Sequence, residues 1–228
     1  QNMEFSFSII YYKFENIKDI TTYLYQIILN FINFNILDET KKAYLELHLT
    51  VFLFGFTGIL GKLISLNELP LVWWRMFLTS LSFLFFIKTI RTAIKKVDTK
   101  FIKHLMFIGF LVAIHWVCFF GSIKYSNVSI ALITFSTTTF FTSILEPIMT
   151  KSKFKIAEIA LGLLIIPGMY LIVNAVKLEY ITGVILGVIG ALLACIFSIM
   201  NKKIIHKMDS VSMTAIELSS GWAFLSLI

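Results

Sequence analysis

The stretch ITGVILGVIGALLACIFSIMN (Ile181–Asn201) runs for twenty-one residues without a charged side chain. A helix rising about 1.5 Å per residue needs roughly twenty residues to cross a hydrocarbon core about 30 Å thick. Inside that core there is no water for backbone N–H and C=O groups, so the segment must bond to itself, and a helix does so. A membrane barrel would instead show alternation over strands of about ten residues. Six more apolar runs read the same way: Leu47–Leu63, Leu71–Ile87, Leu105–Ile123, Ser129–Thr150, Ile156–Asn174 and Ser212–Ile228. The expected fold is all-α, a polytopic transmembrane bundle with about seven helices present and short polar joints. Composition agrees: 58% of the residues are hydrophobic and 14% charged, too few charges to cover a water-facing surface.

The charges sit in the joints. One set holds Lys41 and Lys42; Lys88, Arg91, Lys95, Lys96, Lys100 and Lys103; Lys151, Lys153 and Lys155; and Lys202, Lys203 and Lys207. The alternate joints carry only Lys124 and Lys177. Positive charge stays on the cytoplasmic side, so the N-terminus is expected in the cytoplasm, the seventh helix runs outward, and the protein is a multi-pass one of the cell (inner) membrane. This pattern also accounts for the net charge of +7 without a nucleic-acid partner. Lys62 reads as a snorkelling residue at a helix end. Cys118 and Cys195 fall inside apolar runs and suggest neither a disulfide nor a metal framework.

Residues 1–40 contain no Gly, Ala, Pro or Arg and are rich in Ile, Phe, Asn, Tyr and Lys. Residues 1–42 are therefore read as an extension, either non-native read-through from an AT-rich genome or a genuine segment with Thr22–Leu37 in the membrane interface. It lacks the basic start and small-residue cleavage site of a signal peptide. Pro70 stands where a helix begins, with an amide that would be unpaired anyway. Pro167 is expected to kink the fifth span.

Small residues recur four apart in the sixth span, at Gly183, Gly187 and Ala191 and at Gly190, Ala194 and Ser198, giving stripes along which helices approach closely. Gly55, Gly58 and Gly61 act similarly in the first. Intramembrane charges cost several kcal/mol unless paired or hydrated, which draws attention to Arg75, Glu146 and Glu217. Arg75 reads as an anion-attracting or gating charge, or as a snorkelling residue. Glu146 is a proton-responsive group or an interfacial carboxylate beside Lys151 or Lys153. His115 and Trp116 lie in mid-span, where a lone His either packs or relays protons. Ser136, Thr137, Thr138, Thr139, Thr142 and Ser143 crowd the fourth span; hydroxyls bond back to their own helix or line a polar path. No HExxH, GxSxG, P-loop or CxxC spacing occurs, so no catalytic residue, metal or cofactor is expected.

Several stretches together resemble the EamA-type transporters of the drug/metabolite transporter superfamily. These are FLFGFTGILGKLI (Phe52–Ile64); ELPLVWWRMFL with its early Arg75; KYSNVSIALITFSTTTFFTSILEPI; and IAEIALGLLIIPGMYLIV. The resemblance covers roughly Ala43 to Ile228. Thr139 departs from it, standing where many members carry Pro, and TKSKFK (Thr150–Lys155) replaces the usual Gly-Glu-Arg joint. The resemblance implies ten helices in two inverted five-helix repeats, here residues 43–178 and the start of a second from 179, with the rest of that second repeat cut off at the C-terminal end. ACIFSIMNKKI (Ala194–Ile204) can be laid on GFTGILGKLIS (Gly55–Ser65), and ELSSGWAFLSL on RMFLTSLSFLF, which puts Glu217 in the place of Arg75.

The implied function is secondary transport of a small metabolite by alternating access. Arg75, His115, Trp116, Thr137, Thr138, Thr139, Glu146 and Glu217 would line or gate the cavity. Its partners would be a small-molecule substrate and the lipid bilayer, with a homodimer left open. Two other readings stand beside it. A seven-helix receptor or retinal-type pump would need an outside N-terminus or a Lys in the last helix, and a non-transporting membrane subunit is the second.

Overall fold

The computed structural model describes residues 39–174 and 178–228. Most of the extension, including Thr22–Leu37, and the joint residue Lys177 lie outside the described residues. Every described element is helical. In order they are α1 (Glu39–Leu63); α2 (Glu68–Ser82), continued by a 3₁₀ turn (Phe83–Phe86) into α3 (Ile87–Ile94); α4 (Thr99–Tyr125); α5 (Val128–Ser136) and α6 (Thr138–Thr150); α7 (Ile156–Leu163) and α8 (Ile165–Asn174); α9 (Ile181–Ile204); and α10 (Ser210–Leu225). Short 3₁₀ turns, Leu178–Tyr180 and Ile205–Lys207, flank α9.

Five runs are long and apolar enough to cross a bilayer: Thr40–Leu63, Glu68–Ile94, Thr99–Tyr125, Val128–Thr150 and Ile181–Lys207. The other two expected spans are α7 with α8, and the 16-residue α10. The protein is an all-helical membrane bundle. Its outer surface fits lipid, with Phe85 90% and Ile156 81% exposed. The helices outrun the apolar windows at their basic ends. The second span continues through Lys88 and Arg91, because long cationic side chains lie along apolar surface with their heads in water.

Local sequence explains where helices start and break. Asp98, Asn127 and Asp209 cap α4, α5 and α10 by accepting from the amides of Phe101 (2.8 Å), Ile130 (2.9 Å) and Ser212 (2.9 Å). The fifth span breaks at Leu164, whose amide reaches back three residues to Leu161 at 3.3 Å. Pro167 causes this: it offers no amide to the carbonyl of Leu163 and its ring crowds that carbonyl. The fourth span breaks at Thr137 with no proline nearby upstream. There Ser136, Thr137 and Thr138 each donate to the carbonyl three residues back, at 2.6 Å in all three cases. Such back-bonding tightens and bends a helix.

Among the described residues, those up to Gly55 belong to one unit and those from Phe56 to Ile228 to another. In the first, the described turns of α1 carry local bonds from Thr50 to the carbonyl of Glu46 and between His48 Nδ1 and the carbonyl of Tyr44, both 2.7 Å. In the second, α4 is central. It packs on α9 along one side and on α10 and α2 along another, while α9 also crosses α5 and α6, and α7 lies on α6. The core between these helices includes Val72, Met76, Leu105, Ile108, Phe120 and Ile123.

The crossings are made at glycines. A Cβ on Gly109 would strike the carbonyl oxygen of Glu217 and the hydroxyl of Ser220, and one on Gly221 would lie 2.6 Å from the carbonyl of Gly109. Along α9, a Cβ on Gly183 would come within 2.6 Å of Ser126, and one on Gly187 within 2.7 Å of Thr134 Cβ. The small-residue stripe on α9 thus faces α4 and α5. In lipid, where apolar surfaces gain nothing by leaving water, this close approach supplies the packing.

α2 and α10 run antiparallel. At one end the Trp73 indole donates to Ser226 at 2.8 Å and its ring lies 5.9 Å from that of Trp222. Lys124, at that same end, donates to the carbonyl of Ile64. The opposite end collects the lysines. One open groove of about 730 Å³ is lined by Lys88, Lys96, Lys207 and Asp209, and another of about 680 Å³ by Lys100, Lys103, Lys203 and Lys207. The lysines of two basic joints of the sequence thus lie together in space.

Two outcomes follow for stability in detergent. Gly109→Ala should lower it by about 1–3 kcal/mol, the usual cost of overpacking, whereas Gly168→Ala, with open space around it, should not; a thermal melt compares them. The Ser212 amide holds the Asp209 carboxyl below the usual carboxylate range. The cap therefore stabilises fully above that range and is lost as pH falls through the depressed value. Asp209→Ala should cost about 1 kcal/mol at neutral pH and leave a smaller acid-side loss than the wild type shows.

Candidate functional site

Arg75 sits one turn beyond Leu71, on a helix whose neighbouring face (Leu71, Val72 and Met76) is fully buried against the core. Its guanidinium carbon lies 4.9 Å from the Trp116 ring centroid and 5.0 Å from that of Phe120. Trp116 and Phe120 are four apart on α4 and so share a face, giving the cation a two-ring wall. Arg75 forms no ion pair among the described residues. Cation–π contact of this kind contributes about 0.5–2 kcal/mol and engages the face of the guanidinium, leaving its N–H edge available.

His115, the neighbour of Trp116, points elsewhere. It is buried, and its Nδ1 donates to the carbonyl of Gly190 on α9 at 2.8 Å, which fixes the tautomer. The rings of Phe119, Phe135 and Phe197 lie 6.3, 5.6 and 5.4 Å from it. His115 therefore ties α4 to α9. α4 and α9 are close at this point, where a Cβ added to Gly190 would stand 3.4 Å from Cys118 Cβ, in ordinary contact.

The hydroxyl row shapes the fourth span. Thr137 is buried, Thr138 half-buried and Thr139 exposed. Besides the back-bonds at 136–138, Thr142 donates to the carbonyl of Thr138 at 2.8 Å and reaches Cys195 Sγ at 3.4 Å, and Ser143 donates to Phe140 at 2.8 Å. Apart from the contact Thr142 shares with Cys195, these donors are committed to their own helix; the oxygens keep lone pairs.

Glu146 pairs with Lys202 of α9 at 2.5 Å, not with Lys151 or Lys153 as its sequence neighbours suggested. Lys151 takes a left-handed conformation (φ 56°) that ends α6 and turns the backbone away. The basic end of α9 lies alongside instead, with Lys203 donating to the carbonyl of Met149 at 3.0 Å. Cations placed on the last carbonyls of α6 suit its dipole. Glu217 is only 5% exposed and accepts from Asn201 Nδ2 at 3.2 Å.

The structure thus separates the expected residues into groups. Arg75 and Trp116 belong together, joined by Phe120; Glu217 has Asn201; Glu146 has Lys202; His115 is bonded to Gly190, Thr137 and Thr138 bond back within their own span, and Thr139 is exposed. Sequence reading missed Phe120, Asn201 and Lys202 as partners. Phe120 was legible as the i+4 neighbour of Trp116, and Asn201 as an amide closing a long uncharged run.

The model of the EamA-like transporter family matches residues 41–174, more than half of the protein. The chain belongs to the EamA-like transporter family. It is accordingly an integral membrane transport protein of the drug/metabolite type. Searches of curated proteins and of solved structures returned no significant match. The EamA match runs from α1 to α8 and so includes Arg75, His115, Trp116, the hydroxyl row and Glu146, while Asn201, Lys202 and Glu217 lie beyond it. For this EamA protein, His115→Phe should keep the ring packing and lose the bond to Gly190. A loss of about 1 kcal/mol is expected in a denaturation series, and an unchanged midpoint would remove His115 as a tie between α4 and α9.

Proposed function

We propose that the protein is a secondary transporter of a small metabolite carrying an anionic group, and that Arg75 meets that group. The supporting observation is a half-buried guanidinium held against Trp116 and Phe120 with no carboxylate partner among the described residues. A cation at this depth is costly unless paired or hydrated, and two ring faces offset only part of that cost. A planar anion such as a carboxylate, or a phosphate, would complete it through paired N–H donors.

In this reading residues 43–178 form one repeat and residue 179 begins an inverted second, with the site between them exposed to each side in turn. The antiparallel pairing of α2 with α10, the corresponding helices of the two repeats, supports that arrangement. The end that gathers Lys88, Lys96, Lys100 and Lys207 faces the cytoplasm of the inner membrane.

Uptake of a panel of anionic and neutral metabolites into proteoliposomes tests the proposal. Arg75→Ala should lower uptake of the anionic substrate at least about tenfold, and Arg75→Lys, which keeps charge without the planar fork, should restore part of it. Undiminished uptake by Arg75→Ala would exclude the role.

A further inference from the structure

We propose that Glu217, bonded to Asn201, is the proton-binding site that couples transport to a proton gradient. The proposal rests on the transport reading above and adds the coupling ion.

Two observations carry it. Glu217 is buried, with 5% of its surface exposed, in a helix packed on both α4 and α2. The pair also lacks a donor. Asn201 Nδ2 serves Glu217 Oε2, while Glu217 Oε1 and Asn201 Oδ1 are both buried with no hydrogen-bond partner. Both orphans accept and neither donates. An ionised, unpaired carboxylate so placed costs several kcal/mol, and a proton removes the charge while adding the missing donor.

Neighbouring charges do not supply the balance. Across α2, Arg75 faces Trp116 and Phe120 and forms no ion pair with Glu217 among the described residues. From α4, His115 is bonded to Gly190, and Lys100, Lys103 and His104 line the groove at the basic end. On α9, Lys202 holds Glu146 and Lys203 holds the carbonyl of Met149. Lys88 and Arg91 of α3 are exposed, and Asp209 at the start of α10 caps that helix. A metal ion is a poor alternative, because the described residues contain no group of three or more His, Cys, Asp or Glu able to hold one. Sodium or calcium would want several oxygen ligands.

The coupling is mechanical. The carbonyl of Glu217 itself lies against Gly109 at the α4–α10 crossing, and its carboxyl reaches α9 through Asn201. The neutral acid is compatible with this tight packing. Loss of the proton to water leaves a carboxylate that must be hydrated, which requires α10 to part from α9 and α4. Proton uptake closes the packing and proton release opens it, so each state of the transporter has its own protonation state.

Infrared spectroscopy of the protein in lipid, titrated with pH, reads the site without transport. The expected result is a protonated-carboxyl C=O band that persists where exposed carboxylates are ionised and is absent from Glu217→Gln. Thermal stability should fall at high pH in the wild type and stay level in Glu217→Gln, which is neutral throughout. In proteoliposomes, an inward proton gradient should stimulate wild-type uptake, and Glu217→Gln should lose that stimulation. An unchanged infrared band in Glu217→Gln, retained stimulation, or stimulation of the wild type by sodium alone would overturn the proposal. Intact spectroscopic and stability signatures with no uptake of any anion would uphold the proton site and overturn the transport reading instead.

Discussion

Backbone-to-backbone contact is the constraint on which the bundle depends. Lipid tails are as apolar as the side chains, so helices in a membrane do not associate by hiding surface from water. They must gain from proximity, and proximity here is set by Gly109 against Gly221 and by Gly183 and Gly187 against Ser126 and Thr134. Each contact brings neighbouring helices within reach of one another, and the polar cross-links are possible only at that range. The bond from His115 to the carbonyl of Gly190 is one such cross-link between α4 and α9.

The helical class was legible because long apolar runs admit no other backbone solution in lipid, and five of the about seven expected spans are helices long and apolar enough to cross. The alternating lysines were equally legible, and Lys88, Lys96, Lys100, Lys103, Lys203 and Lys207 line grooves at one end of the helices. The break at Leu164 could be read from Pro167. The break at Thr137 could not, since three successive hydroxyls do the bending where a proline was the known cue. Adjacent Thr side chains in a sequence do not announce whether their donors will turn inward to the helix or outward to a pathway.

The candidate site was half legible. Intramembrane charge pointed to Arg75, Glu146 and Glu217 before any coordinates, because charge in lipid always needs an explanation. Their partners lay far along the sequence: Trp116 and Phe120 for Arg75, Lys202 for Glu146, and Asn201 for Glu217. Such pairings depend on which helix lies beside which, and only the crossing geometry decides that. For Glu146 the nearest lysines in sequence were the wrong ones, displaced by a single left-handed residue at Lys151.

The joint between α9 and α10 is one 3₁₀ turn, Ile205–Lys207, followed at once by the Asp209 cap. It holds no slack. The two helices form a stiff elbow, and its upper arm is moored to α6 twice, by Lys202 on Glu146 and by Lys203 on Met149. A tilt of α10 would therefore be shared with α9, and through those two lysine contacts with the end of α6.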